Sequence, residues 1–307
     1  MASLQQRVFW IAVAVAACAF TSSVNAQEFC TDFENYNAAP SGIPLTGQQA
    51  WYNPIAGSAD FQAFTYITGN PYGIVDNPTG GLKFVAGRAP GNSVFARAQH
   101  DVAFTNAFWE LGFDVCANYN GPAGAALNNI GSQSAPIAPN DYIILLSWVA
   151  GQEGTLMNIG YLVYDALGGG GGTLPPPGQQ PPDPTQWSNL PLNHWFRLTM
   201  LINYPANKID EVSIRDITAG GPVATYNPTD WYLEGGAAGS TTQTTAIRFF
   251  AGGNSEGNIT AWDNFCIRPR GTTAVEPGTW GSIKARFDAP EGGSHKAMPV
   301  AANPEVQ

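Results

Sequence analysis

The most informative stretch of this chain is Ala261-Trp262-Asp263-Asn264-Phe265-Cys266-Ile267-Arg268-Pro269. If it is a β-strand, Ala261, Asp263, Phe265 and Ile267 lie on one side, and Trp262, Asn264 and Cys266 on the other. Pro269 ends the strand because proline has no N–H to donate to a neighbour. Near the other end, Phe29-Cys30-Thr31-Asp32-Phe33-Glu34-Asn35-Tyr36 is expected to form the opening strand. A jelly roll places its first and last strands in one sheet, and we expect that arrangement here.

The rest of the chain has the composition and the patterns of an all-β protein. It contains 35 glycines and 24 prolines, with only 12% charged residues, which indicates many turns and few helices. Apolar residues alternate in Phe108 to Ala117, and residues 142–149 are apolar on both faces, as in a central strand. Residues 195–204 and 208–216 read as two strands of a hairpin. The sequence therefore predicts a two-sheet antiparallel jelly-roll sandwich.

Three regions are expected along the chain. Residues 1–26 read as a secretory signal peptide, with Arg7 before a short apolar run and Val24-Asn25-Ala26 at the cleavage site. Residues 27–270 would form the sandwich, and the glycine- and proline-rich insert beginning at residue 168 would be a surface loop. Residues 271–307 read as a linker and disordered tail with an amphipathic cluster at 279–287. The expected location is outside the cell or at its surface.

The charge balance limits the possible partners. With 13 basic and 23 acidic residues the formal net charge is −10, which argues against nucleic acid and anionic membranes because both require a cationic face. An acidic surface is compatible with neutral glycans and also with plain solubility. After the signal region no segment is long and apolar enough for a membrane span.

Three cysteines remain once the signal peptide is removed, namely Cys30, Cys116 and Cys266. Disulfides persist in secreted proteins, so one bridge and one leftover thiol are expected. Cys30–Cys266 is the preferred pair because it would join the terminal strands and close the sandwich. Cys116–Cys266 stays open as the alternative.

Several short motifs together resemble the concanavalin A-like lectin/glucanase superfamily. They are Asp32-Phe33-Glu34, Gly47-Gln48 with Trp51, Phe113-Asp114-Val115, Trp195-Phe196-Arg197-Leu198, Asn207-Lys208-Ile209-Asp210-Glu211-Val212 and Asp263-Asn264-Phe265. The resemblance covers about Phe29 to Pro269 and implies a secreted jelly roll. The superfamily contains lectins, glucanases and interaction domains, so the resemblance does not select a function.

No catalytic motif is recognisable. Glucanases of this superfamily use two carboxylates on one strand, and no stretch of this chain supplies them; Asp210 and Glu211, for example, are adjacent and point to opposite faces. There is no Gly-x-Ser-x-Gly elbow and no His/Cys cluster with zinc spacing. We therefore expect no catalytic residues.

Calcium is the expected cofactor, if there is one. Hard oxygen ligands near the ends of the first and last strands suit this ion, and Glu34, Asp263 and Asn264 are the candidates. Strict alternation puts Asp263 and Asn264 on opposite faces, so at least one must leave the regular ladder. The alternative is that Asp263-Asn264 only caps a turn through local hydrogen bonds.

Aromatic residues supply the candidate carbohydrate site. Sugar-binding sites stack flat rings on sugars and surround them with polar groups. Trp187 and Trp231 lie in loop-like segments, where exposure is expected, and Tyr232 and Asp230 are beside Trp231. The alternative is that these rings belong to the core.

These observations favour a non-catalytic extracellular domain that binds carbohydrate or other surface material. A structural or adhesive protein that docks to a protein partner through its C-terminal tail is the first alternative. A divergent glycoside hydrolase or polysaccharide lyase is the second.

Overall fold

The structure is a computed structural model, and the chain divides into two units, Met1–Gly271 and Thr272–Gln307. The residues that it describes are 28–66, 70–91, 94–102, 108–122, 129–134, 144–149, 152–161, 163–172, 187–239, 246–252 and 256–270. The predicted signal peptide, the proline-rich part of the insert and the predicted tail lie outside these residues. No described helix is long and apolar enough to cross a membrane.

The described residues form an all-β sandwich of two antiparallel sheets. The strands are β1 Phe29–Thr31, β2 Ile43–Pro44, β3 Ala59–Asp60, β4 Gln62–Thr65, β5 Lys83–Arg88, β6 Ala96–Asp101, β7 Phe108–Tyr119, β8 Asn129–Ser134, β9 Ile144–Trp148, β10 Leu156–Tyr161, β11 Val163–Tyr164, β12 Gly170–Gly172, β13 Leu190–Pro191, β14 Trp195–Asn203, β15 Lys208–Asp216, β16 Ala224–Tyr226, β17 Ala246–Ala251 and β18 Asn258–Pro269. Helical structure in the described residues amounts to one 3-10 turn, Gly236–Ala238.

Sixteen of the eighteen described strands divide between a nine-stranded and a seven-stranded sheet, and β11 and β12 form a separate pair. The nine-stranded sheet has the order β16-β15-β14-β7-β18-β5-β4-β2, with β1 beside β18, and the seven-stranded sheet has the order β13-β10-β9-β8-β17-β6-β3. Every strand pair is antiparallel except the short β3–β6 contact. The predicted central strand, β9, lies inside the seven-stranded sheet, and the predicted hairpin is β14–β15. Part of the glycine run, expected to be a loop, forms β12 against β11.

The first and last strands meet as predicted, but the opening strand is shorter than predicted. In β1, Phe29, Cys30 and Thr31 pair with Ile267, Cys266 and Phe265. The chain then leaves the sheet, since Phe33 has a positive φ of 59° and its ring is buried. The prediction that the opening strand continues to Tyr36 is therefore wrong. The strand ends at Thr31, and Phe33 lies in a turn from which its ring is buried in the core.

A bulge in β18 breaks the alternation predicted for the closing strand. The pairing of β18 with β7 shifts between Asp263 and Cys266, and Asn264 has a φ of 47°. As a result Trp262 faces the same core as Phe265 and Ile267, whereas Ala261 faces the other side of the sheet. For Asp263 and Asn264 to act on one side of the sheet, one of them had to leave the regular strand pairing, and the bulge is such a break.

The apolar residues form a large core between the sheets and a smaller one on the outer side of the nine-stranded sheet. The smaller core includes Cys116, Trp195 and Ile259 from the sheet, and Ile74 and Tyr72 from residues 70–82. We call residues 70–82 the strap, because they cross the outer face of the sheet and cover this core. Asn118 Nδ2 donates to the Tyr72 carbonyl at 2.8 Å and holds the strap in place.

The disulfide joins Cys30 in β1 to Cys266 in β18, which is the pair preferred from the sequence. The two residues are direct cross-strand partners, so the bridge ties the short opening strand to the closing strand. Cys116 is a free, buried cysteine in the smaller core. Burial raises the pKa of its thiol, which keeps it protonated and unreactive.

Candidate functional site

Two aspartates meet beneath the strap. Asp114 of β7 and Asp263 of β18 are cross-strand partners, and both are fully buried. The amide Nδ2 of Asn77, in the strap, donates to Asp114 Oδ2 at 2.9 Å and to Asp263 Oδ2 at 3.1 Å. One strap side chain therefore binds both carboxylates at once.

Further donors surround Asp114. Arg197 of β14 donates through Nε to Oδ1 at 2.8 Å and through Nη2 to Oδ2 at 2.9 Å, the two-pronged geometry that guanidinium and carboxylate favour. The Thr79 hydroxyl donates to Oδ2 at 3.1 Å, and Asn264 Nδ2 donates to the same oxygen at 2.7 Å. We name this group, completed by the neighbouring Tyr66, the strap cluster: Tyr66, Asn77, Thr79, Asp114, Arg197, Asp263 and Asn264.

The two carboxyl groups of the strap cluster have different environments. Burial, together with the negative charge of Asp114, raises the pKa of Asp263 to about 7. Hydrogen bonds from the Asn264 amide, Tyr66 and Asn77 oppose this rise. Burial and the neighbouring carboxylates also raise the pKa of the Tyr66 hydroxyl, which donates to Asp263 Oδ2 at 3.0 Å. Tyr66 therefore stays a neutral donor.

The acid pair was not predicted, because its members come from strands far apart in sequence. The search for two acids on a single strand could not find it, although Asp114 and Asp263 each lie in a stretch that carries the family resemblance. Neither side chain is exposed to solvent, and Arg197 engages both oxygens of Asp114. In this conformation the pair fastens the strap to the sheet through Asn77.

The three candidate calcium ligands lie around the end of the strap. Glu34 Oε1 accepts from the backbone amides of Leu82 at 2.6 Å and Lys83 at 2.8 Å. Asp263 and Asn264 belong to the strap cluster. There Asp263 Oδ2 accepts hydrogen bonds from Tyr66 and Asn77, and Asn264 Nδ2 donates to Asp114. Within the described residues no group of three or more His, Cys, Asp or Glu side chains is arranged to hold a metal. Calcium binding at these residues stays a prediction.

The expected exposure of Trp187 and Trp231 is wrong. Trp231 is 0% exposed and Trp187 is 4% exposed, and both belong to the main core. Trp187 Nε1 donates to the Tyr161 hydroxyl at 3.0 Å, and the Trp231 ring packs 5.4 Å from that of Tyr161. The sequence around the two tryptophans is typical of loops and did not indicate that they are buried. The residues that bury them, such as Tyr161, lie in other parts of the chain.

The two residues beside Trp231 are accessible. Asp230 is exposed and accepts a hydrogen bond from the Thr229 hydroxyl at 3.2 Å. Tyr232 is half-buried, and its backbone bridges Tyr164 and Lys208. A sugar-binding role for these two residues stays a prediction.

A second group of polar and aromatic side chains lies on the outer face of the seven-stranded sheet. In β6 and β17 the alternate residues Ala96, Ala98, Ile247 and Phe249 face the core, so the residues between them face outward. Cross-strand partners share a face, and Gln99 is paired with Arg248 and Arg97 with Phe250. We name this group the outer-face cluster: Tyr52, Phe95, Arg97, Gln99, Asp101, Arg248 and Phe250.

The polar members of the outer-face cluster form a continuous hydrogen-bond chain. Arg248 Nε donates to Gln99 Oε1 at 2.8 Å, and Gln99 Nε2 donates to the Tyr52 hydroxyl and to Asp101 Oδ1, the latter at 3.2 Å. The Tyr52 hydroxyl donates to Asp101 Oδ1 at 2.6 Å. Backbone hydrogen bonds in both directions between Tyr52 and Gln99 fix Tyr52 at the edge of β6.

The aromatic members flank this chain. Phe95 is half-buried and meets the Phe250 ring edge-to-face, with 5.8 Å between centroids. The Arg97 guanidinium lies 4.4 Å above the centre of the Phe95 ring. Arg97 Nη1 also donates to the Ser58 hydroxyl at 3.0 Å. The cluster thus combines a partly exposed ring with donors and acceptors held on strands.

The sequence contains a signal for this site that was not used. In Phe95-Ala96-Arg97-Ala98-Gln99-His100-Asp101, every second residue is large and polar or aromatic. His100 faces inward, with its ring 4.3 Å from that of Phe29 and 5.4 Å from that of Trp51. The alternation indicates an outward row of side chains, but the pairing of Gln99 with Arg248 follows only from the strand register.

Comparisons with known proteins find similar folds only among solved structures. No protein-family model and no curated protein matches the chain. Lectin II from Ulex europaeus is 10% identical, covering 79% of this chain and 97% of its own, with a TM-score of 0.44. A GH131 β-glucanase catalytic domain from Podospora anserina is 14% identical, covering 64% and 77%, with a TM-score of 0.35.

A third similar structure is a carbohydrate esterase from the Shiga toxin-encoding bacteriophage phi24B, at 9% identity, 73% and 91% coverage and a TM-score of 0.43. Lectins and glucanases are the proteins that the sequence motifs resemble. At these identities and TM-scores, no residue role and no activity is transferred from them to this chain.

Proposed function

We propose that this protein is a secreted, non-catalytic domain that binds carbohydrate through its outer-face cluster. The observation that carries the proposal is the hydrogen-bond chain Arg248–Gln99–Tyr52–Asp101 beside the half-buried ring of Phe95. Sugar hydroxyls both donate and accept hydrogen bonds. The accessible members of the chain, Tyr52 and Asp101, offer them a phenol that donates and accepts and a carboxylate that accepts. The buried Gln99 and Arg248 hold these two groups in place.

The cluster is also pre-organised for a ligand. Its charged and amide side chains stand on β6 and β17, which pair over six consecutive residues. Sites on strands hold their geometry better than sites on loops, so little conformational entropy is lost when a ligand binds. The phenol of Tyr52 remains neutral, because burial and the hydrogen bond to Asp101 raise its pKa. A neutral phenol suits binding and is a poor base.

Secretion is part of the same proposal. The Cys30–Cys266 disulfide fits an oxidising compartment, and the expected signal peptide would lead the chain there. The net charge of −10 suits an extracellular domain whose ligand is uncharged or touches only a small part of the surface.

The experiment is a glycan-array screen of the mature protein, followed by titration of the best ligand. Gln99→Ala and Asp101→Ala are expected to weaken binding at least about tenfold, as loss of a buried or charged hydrogen bond predicts. Asp210→Ala is the matched control for Asp101→Ala, because it removes one carboxylate from β15 in the other sheet. It should leave binding unchanged.

Two results would contradict the proposal. Binding that survives both cluster substitutions would place the site elsewhere, with Asp230 and Tyr232 the next residues to replace. Release of reducing sugar from a polysaccharide panel by the wild-type protein would show that the domain is catalytic.

A further inference from the structure

One histidine lies directly behind the outer-face cluster. His100 stands between Gln99 and Asp101 in β6, and its ring faces the core, with its centroid 5.4 Å from that of Trp51. Trp51 precedes Tyr52, so neighbouring residues of two segments meet on both faces of the sheet. The inner contact is Trp51 with His100, and the outer contact is Tyr52 with Gln99. This inference rests on the proposed function and concerns the regulation of binding at that site.

We propose that His100 makes glycan binding sensitive to acid, because a proton added to its ring separates Tyr52 from Gln99 and releases the ligand. Imidazole is the side chain whose charge ordinarily changes between pH 5 and 8. Gln99 and Asp101 are the neighbours of His100 in the strand, and both hold the Tyr52 phenol. A movement of the His100 ring therefore displaces residues of the binding site.

The surroundings of the His100 ring suit its neutral form. Its Nδ1 is buried and finds no hydrogen-bond partner among the described residues. A proton on this nitrogen would create a buried N–H donor without an acceptor, which costs free energy. Contact of a cation with the rings of Phe29 and Trp51 offsets part of this cost, but an aromatic ring is only a weak acceptor for the new N–H.

The polar groups around His100 favour its charged form only in part. Burial is the largest influence on its pKa and lowers it, whereas the carboxylate of Asp101 and hydrogen bonds to the backbone of Asp101 and Gln49 raise it by less. Its cross-strand partner in β17 is the apolar Ile247. Arg248, the next residue of β17, faces the outer side of the sheet as part of the cluster.

The other two elements that pack on His100 are β1 and the segment that contains Trp51. They contribute the apolar ring of Phe29, 4.3 Å from that of His100, and the indole of Trp51. The charged residue next to Phe29 is Glu28, which is exposed. The indole is itself held in place, since its Nε1 donates to the Tyr36 hydroxyl at 2.9 Å. A protonated His100 therefore reaches water by moving its own ring away from its neighbours.

This movement would loosen the contacts on the outer face. The Tyr52 amide donates to the Gln99 carbonyl at 2.9 Å, and the Gln99 amide donates to the Tyr52 carbonyl at 2.8 Å. The Tyr52 hydroxyl donates to Asp101 Oδ1 at 2.6 Å. These bonds hold Tyr52 through the residues on either side of His100, so they weaken together. The phenol and the carboxylate that bind sugar hydroxyls then separate.

The experiment measures the dissociation constant of the mature protein for the glycan with the strongest array signal, between pH 7 and pH 5. The constant should rise as the pH falls, by at most about tenfold per pH unit, because a single proton is taken up. His100→Phe keeps an aromatic ring but cannot take up a proton, so its dissociation constant should not change with pH in this range.

His194→Gln is the matched control. His194 precedes β14 in the other sheet, where its Nδ1 lies 2.8 Å from Asp216 Oδ2, and the variant should keep the pH dependence of the wild type. The carboxyl group of Asp263, with a pKa of about 7, is present in all three proteins and cancels in the comparison.

Hydrogen exchange tests the same movement without a ligand. The protection factors of the Tyr52 and Gln99 amides should fall between pH 7 and pH 5 in the wild type and stay constant in His100→Phe. The Ile159 amide, which donates to the Trp187 carbonyl at 2.9 Å, should keep its protection in both proteins. His100→Gln takes the place of His100→Phe if thermal unfolding shows that the latter is not folded.

The outcomes separate this inference from the proposed function. Binding that is independent of pH in the wild type, or that varies with pH equally in His100→Phe, would overturn the inference and leave carbohydrate binding by the cluster intact. Constant protection of the Tyr52 and Gln99 amides in the wild type would overturn the movement of His100 whether or not a glycan binds. No binding to any glycan at either pH would overturn the proposed function, and regulation of binding with it.

Discussion

Asp263 is the single residue whose ionisation should change stability most clearly. Its pKa in the folded protein is about 7, against 3.8 for an unperturbed aspartate, because the carboxyl group is buried beside Asp114. Between these values the folded chain retains a proton that the unfolded chain has lost. This contribution to the free energy of unfolding is complete below about pH 4 and is lost as pH rises to about 7, by up to about 1.4 kcal/mol per pH unit.

Asp263→Asn should remove this pH dependence. Urea unfolding of both proteins across the window gives the difference in free energy of unfolding, wild type minus variant, and we expect it to fall as pH rises. His100, whose pKa is lowered by burial, contributes the opposite slope to both proteins and cancels in the difference. Parallel stability curves for the two proteins would contradict the raised pKa of Asp263.

Gly80 is required by the close approach of the strap to Asp263. A Cβ added at Gly80 would overlap Asp263 Oδ2 and lie 2.9 Å from Asn77 Cβ. Gly80→Ala should therefore lower the free energy of unfolding by about 1–3 kcal/mol, as overpacking does. At Gly112 an added Cβ would meet only ordinary contacts, the nearest at 3.8 Å. Gly112→Ala is the control, and equal unfolding midpoints for the two variants would contradict the tight fit.

At the level of elements, the sequence predicted the strands whose own alternation is strong. β7 and the β14–β15 hairpin occur where the alternation of Phe108 to Ala117 and residues 195–216 indicated. The sequence predicted a break in the ladder at Asp263 or Asn264 only if the two residues act together, and it gave no indication of the positive φ at Asn264, whose side chain contacts Thr79 and Asp114. The burial of Trp231 and the two clusters likewise depend on contacts between segments far apart in sequence.

The disulfide fastens one of the shortest strands of the nine-stranded sheet to one of its longest. β1 has three residues and pairs only with β18 among the described strands. A bridge that closes a loop of 236 residues restricts the unfolded chain strongly. Replacing Cys30 and Cys266 together by serine should lower the free energy of unfolding by about 2–5 kcal/mol.

A reducing agent tests whether this effect belongs to the bridge. Reduction should destabilise the wild-type protein about as much as the double serine substitution does, and should leave the double variant unchanged. Cys116→Ala removes the free buried thiol and should keep the full response to the reductant. A Cys116→Ala protein that no longer responds would contradict the Cys30–Cys266 pairing.

At the level of the whole molecule, the net charge bears on the class of glycan that the outer-face cluster can bind. Thirteen basic and 23 acidic residues give a net charge of −10, so the protein repels a polyanion at long range and exerts no such force on a neutral glycan. Salt screens this repulsion over a Debye length that shortens from about 30 Å at 0.01 M to about 8 Å at 0.15 M.

The kinetics of association should therefore distinguish a neutral from an anionic ligand. Raising the salt concentration over this range should leave the association rate constant for a neutral glycan unchanged. It should increase the rate constant for an anionic polymer, because repulsion by the protein is screened. Association that slows as the salt concentration rises would mean that a cationic surface attracts the ligand, and the net charge would then be a poor guide to the class of glycan.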